Sequence, residues 1–233
     1  MKKTLPSKIL MKLQRSFNRT FYGQPRIIEC QFPFEKEFKC IFIHIPKTAG
    51  CSVTKGLFNK PDGLGHLKIG YYKENLKRSL FEQYFKFSFV RNPWDRVLSA
   101  YTYLKRGGCG NEVDLADMEK YIKGCDIFES FVLSLKNNEK AQNLLSESVH
   151  FQPQYKYICD DRKKILVDFV GKTENIEKDF QYIAKKLNIK AELAHENKSN
   201  HNHYLDVYNS QEMIDIIHQL YFEDIQLFNY AVN

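Results

Sequence analysis

Two rhythms of apolar and polar positions run through this chain. One is the short unbroken apolar run; the other is a longer stretch in which apolar residues return every three or four positions. The run at 41–45 is β-branched and aromatic and stops at Pro46, which predicts a buried parallel strand. Phe85, Phe87, Phe89 and Val90 predict a second strand, and 165–170, ended by Gly171, a third. A short edge strand is expected over 26–30, before Pro33. Helical spacing predicts a helix from Val53 to Phe58, another over 70–81 and two short ones within 115–136. It also predicts one beginning at Pro93 with Val97, Leu98, Tyr101 and Leu104 on its face. A helix capped by Thr173 should turn Phe180, Ile183, Ala184 and Leu187 inward, and a last one should span about 210–229. The breaker cluster at 61–65, the glycine-rich turn at 105–111, and the polar loops at 150–155 and 197–203 separate these elements. Strands alternating with helices predict a three-layer α/β fold with a mainly parallel central sheet flanked by helices.

Length and charge narrow this picture. The 233 residues suit a single domain over 26–233 behind a basic N-terminal segment at 1–25. That segment has no apolar run long enough for a signal peptide or a membrane span. Leu5, Ile9, Leu10, Leu13 and Phe17 give residues 5–18 the spacing of a basic amphipathic helix, which either lies on an anionic membrane or packs on its own domain. The net charge of +7 suits an anionic small ligand, an acidic polymer or a membrane surface. The 6 cysteines (30, 40, 51, 109, 125 and 159) form no CxxC pair, so free thiols in a reducing compartment are expected.

The candidate chemistry gathers at two strand-to-helix junctions. At 46–52 a strand gives way to a turn of small residues and then a helix. That geometry presents backbone N–H groups and the positive end of a helix dipole. Lys47 adds a point charge, Thr48 and Ser52 add hydroxyls, and no carboxylate interrupts them, so a phosphate or sulfate is the expected guest. The alternative is an ordinary turn with its polar groups in solvent. The stretch is not a Walker A loop, because Lys47 precedes its only glycine. At the second junction Arg91 lies at the carboxyl end of a strand, Asn92 is placed to cap the next helix, Pro93 takes its first position and Asp95 its first turn. Ser99 follows about two turns on. Ligands of open α/β sheets sit at the carboxyl ends of strands, so both junctions can share one ligand. The alternative makes Arg91 and Arg96 surface charges paired with Asp95.

Pro46-Lys47-Thr48-Ala49-Gly50-Cys51-Ser52 resembles the 5′-phosphosulfate loop of sulfotransferases that use 3′-phosphoadenosine 5′-phosphosulfate (PAPS). The stretch from Val90 to Tyr101 resembles their 3′-phosphate motif, and the pairing is most similar to the carbohydrate sulfotransferases of heparan 2-O and chondroitin type. Residues 168–175 and 221–230 also resemble that family, which carries the likeness over roughly 39–230. The resemblance implies a P-loop-like sulfotransferase fold and in-line transfer of a sulfuryl group from PAPS to a carbohydrate hydroxyl without a metal. It implies that Lys47, Thr48, Ala49, Gly50, Cys51 and Ser52 cradle the phosphosulfate, and that Arg91 and Ser99 hold the 3′-phosphate. Cys51 departs from the hydroxyl residue common at its place, which removes a donor but keeps the backbone N–H. Lys198 and Ser199 are expected to close over the nucleotide. Lys47 would stabilise charge on the transferring group. His66, in a Gly-His pair before the 3′-phosphate motif, is the expected general base, with His150 as runner-up, His44 as a structural residue and Glu29 as a weaker carboxylate alternative. The competing readings are a nucleotide-dependent kinase, which lacks its Walker glycines and a magnesium carboxylate, and a non-enzymatic polyanion binder, which lacks a basic-aromatic motif. The expected partner is a glycan acceptor and not a nucleic acid. The expected place is a bacterial cytoplasm, with peripheral contact at the inner membrane surface through the N-terminal segment.

Overall fold

A computed structural model describes residues 28–59, 65–193 and 204–232. The expected basic helix at 5–18 and the loop residues Lys198 and Ser199 lie outside the described residues. In chain order the elements are α1 (Pro33–Phe38), β1 (Cys40–Ile43), α2 (Gly50–Phe58), α3 (Ile69–Asn75), α4 (Arg78–Gln83) and β2 (Phe85–Val90). Then come α5 (Pro93–Lys105), α6 (Glu112–Asp117), a π-helical turn (Met118–Ile122), α7 (Phe128–Ser134), α8 (Asn138–Glu147) and α9 (Tyr155–Ile158). The chain continues through β3 (Phe169–Lys172), a 3₁₀ turn (Thr173–Asn175), α10 (Ile176–Lys186), α11 (Tyr204–Val207), α12 (Gln211–Leu220) and α13 (Phe222–Phe228).

The three strands form one parallel sheet in the order β1-β2-β3, with Cys40 opposite Phe85 and Phe87 opposite Phe169. Alternation of side chains across the sheet builds two cores. Phe42, Phe87 and Phe89 pack with Phe34 of α1, Val53 and Leu57 of α2, and Phe180 and Ile183 of α10. On the other face Ile41, Ile43 and Val90 pack with Ile69 and Tyr72 of α3, Tyr157 of α9 and Phe228 of α13. The expected three-layer parallel α/β fold is therefore present. A third cluster joins α5, α7, α8 and α12 around Trp94, Phe131, Leu144 and Met213.

Several boundaries differ from the sequence expectation. β1 stops at Ile43, two residues early, because Ile45 turns its carbonyl to accept the Thr48 hydroxyl at 2.9 Å. The edge strand expected at 26–30 reduces, in its described part, to one parallel bridge between Ile28 and Leu76. That bridge pulls Leu76 into extended backbone and divides the helix expected over 70–81 into α3 and α4. The third strand begins later than its apolar run. Asp168 first grips β2, with its carboxylate accepting from the Lys86 amide at 2.8 Å and pairing with Lys86 Nζ at 2.9 Å. Gly171 does not end that strand but sits inside it, where a Cβ would run into the Phe89 ring. Thr173 makes no side-chain cap, and α10 starts after the 3₁₀ turn. The final helix breaks at Tyr221, whose hydroxyl donates to the Phe151 carbonyl at 2.7 Å. Helices α1, α8, α9 and α11 have no counterpart in the expected set.

The second junction is locally as expected. Asn92 accepts from the Trp94 and Asp95 amides, and Pro93 opens α5. Arg96 is not a surface charge, however. It is 1% exposed and donates to the carbonyls of His150 at 3.1 Å and Gln152 at 2.7 Å. It thereby ties the 150–155 loop to α5. Asp224 of α13 holds the next part of that loop by accepting from the Gln154 and Tyr155 amides at 2.7 and 2.8 Å. Replacing Arg96 with Leu strands two carbonyls in the interior, at about 1–3 kcal/mol each. We expect Arg96→Leu to lose about 3 kcal/mol of stability in urea denaturation, and a loss below about 1 kcal/mol would contradict the described role.

Candidate functional site

The pairing of β1 with β2 sets their carboxyl ends side by side. Ser88 Oγ donates to the Ile43 carbonyl at 2.7 Å, locking the last turn of the ladder. The chain then leaves both strands in the same direction, as Pro46–Ala49 from β1 and as Arg91–Asn92 from β2. Arg91 bridges the two exits: its Nη1 donates to the Lys47 carbonyl at 3.3 Å, while its Nε bonds Asp95 Oδ2 at 2.6 Å. Gln154 fixes the Arg91 backbone from the other side, accepting from its amide and donating to its carbonyl, both at 2.9 Å.

The first loop is strained. Lys47 and Ala49 both have positive φ, 68° and 60°, a region that costs non-glycine residues about 1–3 kcal/mol. The strain turns the chain sharply enough for α2 to begin at Gly50, three residues before the helix expected from Val53. Ala49, the N-cap of α2, makes no side-chain cap. Gly50 is required by its neighbour, since a Cβ there would run into the His44 ring. The Thr48 hydroxyl, expected to face an anion, is buried and spent on Ile45, so Thr48 has only its backbone N–H to offer. Ser52 is buried and Cys51 half-buried in the first turn of α2, and Ser99 is buried on α5.

Lys47 extends its Nζ over the Tyr103 ring, 3.9 Å from the centroid. Burial pushes its ammonium down to about 8, helped by the Arg91 and Arg106 charges. Three histidines stand beside it. His44 and His66 have ring centroids 4.6 Å apart, and His66 and His150 6.5 Å apart. His66 does not cap α3; its Nδ1–H donates to the His44 carbonyl at 3.0 Å. A carbonyl only accepts, so the neutral His66 ring keeps its lone pair on Nε2, and among the described residues no hydrogen bond to Nε2 is formed. His150 is more enclosed, 7% exposed, with Nε2 at 2.8 Å from Asp114 Oδ1 and Nδ1 buried without a partner. Burial lowers the pKa of both His66 and His150, favouring the neutral ring in each. Glu29, the carboxylate alternative, is exposed and paired with Lys36 at 3.1 Å.

Asp114 and Tyr103 were not singled out from the sequence. Asp114 lies in the first turn of α6 behind the N-cap Asn111, where an acidic residue reads as ordinary capping. The overlooked signal is the turn before it. Gly107, Gly108 and Gly110 all have positive φ, and a Cβ on Gly108 would run into the Asp114 carboxylate. The turn is folded onto an acid.

The fold is that of an α/β protein whose two strand-to-helix junctions meet at the carboxyl ends of β1 and β2. Residues 31–231 match the sulfotransferase family. The chain belongs to that family, whose members transfer a sulfuryl group, and membership implies PAPS as its donor. The chain is also 31% identical over 123 residues to an uncharacterized protein of Archaeoglobus fulgidus, an alignment covering 52% of this chain and 82% of that one. No solved structure matches. Among the described residues no helix is long and apolar enough to cross a membrane, and all 6 cysteines are free thiols.

The residues present fit a phosphosulfate: an uncapped helix start, a loop with no room for a Cβ at Gly50, and a desolvated lysine. They also set a pH limit on the fold. Burial pushes His44 down to about 3, so the unfolded chain binds a proton there at mildly acid pH that the folded chain refuses. His44 thus contributes stability that is present above about pH 6.5 and is lost as pH falls toward 3. In urea denaturation at pH 7.5 and 5.0, His44→Phe should remove up to about 2 kcal/mol of the acid-induced loss seen in the wild type. Equal losses in the two proteins would refute this.

Proposed function

We propose that this chain moves a sulfuryl group from PAPS to a carbohydrate hydroxyl, with His66 as general base and Lys47 stabilising charge at the transfer centre. The observation that carries the reading is the meeting of both junctions: Arg91 reaches the Lys47 carbonyl, and His66, held through Nδ1 by the His44 carbonyl, forms no hydrogen bond at Nε2 among the described residues. PAPS, when bound, supplies the sulfuryl group and leaves as 3′-phosphoadenosine 5′-phosphate (PAP). The backbone amides of 48–52 and Lys47 would hold the phosphosulfate end, and Arg91 and Ser99 the 3′-phosphate. Lys198 and Ser199 are retained as residues that close over the nucleotide. Desolvation strengthens the attraction between Lys47 and negative charge while making its ammonium easier to lose. His66 takes the hydroxyl proton at Nε2, and the His44 carbonyl, bonded to Nδ1–H, steadies the imidazolium that forms. His66 is preferred over His150 because it stands in the Gly-His pair before the 3′-phosphate motif, where the resembled enzymes place their base, while His150 is held on Asp114. The carbohydrate acceptor rests on the likeness of the two motifs to the carbohydrate sulfotransferases, with 101–111 and 150–157 on the acceptor side. There the rings of Tyr103 and His150 lie 5.0 Å apart.

Calorimetry with PAP and no magnesium tests this. The wild type should bind at about 1–10 μM. Arg91→Ala should weaken binding at least about 30-fold, and His66→Ala by less than about threefold while lowering turnover roughly 10²–10⁴-fold. Binding of ATP-magnesium in place of PAP would promote the kinase, and salt-sensitive binding of any polyanion without PAP would promote the non-enzymatic binder.

The charge on Lys47 adds a pH signature. PAP affinity should be full below pH 8 and fall by up to about tenfold per unit above it, because the free enzyme loses that proton at about 8. Affinity that stays level to pH 9.5 would exclude Lys47 as the cation.

A further inference from the structure

Asp114 lies outside both junctions, yet its carboxylate is engaged on both oxygens. Oδ2 accepts from the Tyr103 hydroxyl at 2.6 Å, the Cys109 amide at 2.9 Å, the Cys109 thiol at 3.2 Å and the Asn111 side-chain amide at 3.2 Å. Oδ1 is given to His150 Nε2, at 2.8 Å. A residue that only clasped the glycine turn would need Oδ2 alone. The carboxylate is 4% exposed. Burial pushes its pKa up, but the Cys109 amide, Tyr103 hydroxyl and His150 ring outweigh that and hold it well below the usual carboxylate range. An ionised carboxylate only accepts, so neutral His150 carries its proton on Nε2 and its lone pair on Nδ1, the nitrogen that is buried without a partner. On the other oxygen, the Tyr103 hydroxyl is fixed, and with it the ring that lies under Lys47.

We propose that Asp114 is a positioning residue of the transfer centre: it holds His150 as the Nε2–H tautomer, so that Nδ1 accepts a hydrogen bond from a hydroxyl of the acceptor, and it holds Tyr103 as the floor beneath Lys47. The proposal rests on the sulfotransferase reading above and assigns His150 to orienting the acceptor while His66 removes the proton. The unpartnered Nδ1 is the independent sign of a ligand, because buried acceptors in folded proteins are ordinarily satisfied.

The test is the tautomer of His150, read from two-bond ¹H–¹⁵N correlation spectra of histidine-labelled protein at pH 7.5 without ligand. The wild type should show His150 protonated on Nε2. In Asp114→Asn the carboxamide offers an N–H to the ring, and His150 should switch to Nδ1–H. PAP release from PAPS with a chondroitin acceptor should fall about 10–100-fold in that variant while PAP affinity changes less than about threefold. An unchanged tautomer or an unchanged release rate in Asp114→Asn overturns the proposal. If that variant does not fold, the wild-type spectrum decides: Nδ1–H on His150 overturns the proposal and Nε2–H supports it. A wild type that binds no PAP overturns the reading of the cofactor site instead, and the tautomer result still decides the role of Asp114.

Discussion

The parallel pairing of β1 with β2 is the constraint on which the site depends. A parallel ladder cannot be closed by a tight turn, so a long crossover must separate the strands, and both then deliver their following segments to the same edge. The Ser88 hydroxyl bonded to the Ile43 carbonyl marks where that ladder ends. Beyond it, two loops far apart in sequence come close enough for Arg91 to reach Lys47. A shift of one residue in the register would turn Phe42 and Phe87 out of their core and Ile41 and Ile43 out of theirs. The apolar pattern that stabilises the sheet therefore also sets the geometry of the two junctions.

The loop after β1 shows what that geometry costs. Lys47 and Ala49 are held in left-handed backbone, Gly50 must lack a side chain because His44 fills the space, and the ammonium of Lys47 is partly stripped of water. None of these choices favours folding by itself. They are tolerated because strand packing and the helical cluster around Trp94 hold the surroundings firmly. Local rules broken at such a turn are offset by consistency in the elements around it.

Much of this was legible in the sequence, and the reason is periodicity. The apolar runs at 41–45 and 85–90 and the Asn-Pro-Trp-Asp start of α5 encode their elements locally, so strand, cap and helix were read correctly. Lys47, Gly50 and Arg91 lie where the sequence places them, at the ends of β1 and β2, because position relative to those elements is locally encoded. What was not legible depends on contacts distant in sequence. Leu76 breaks a helix because Ile28 pairs with it, and Gly171 continues a strand because the Phe89 ring leaves no room for more. Thr48 looked like an anion donor because its hydroxyl bond to Ile45 is a detail of turn geometry. Arg96 looked like surface charge, since nothing near it in sequence reveals the two carbonyls it serves. Asp114 was hidden by its position as an unremarkable first-turn acid, and its partner His150 lies 36 residues away.

Arg96 has one more implication. It sits one turn into α5, the helix whose start forms the second junction, and grips the backbone that carries His150. Gln154, from the same loop, is bonded to Arg91 through both amide and carbonyl. The start of α5 and the 150–155 loop are thus joined at this point by two side chains, Arg96 and Gln154, that each hold the other segment's main chain. The backbone that carries His150 and the strand end that carries Arg91 are therefore held to one another from both sides.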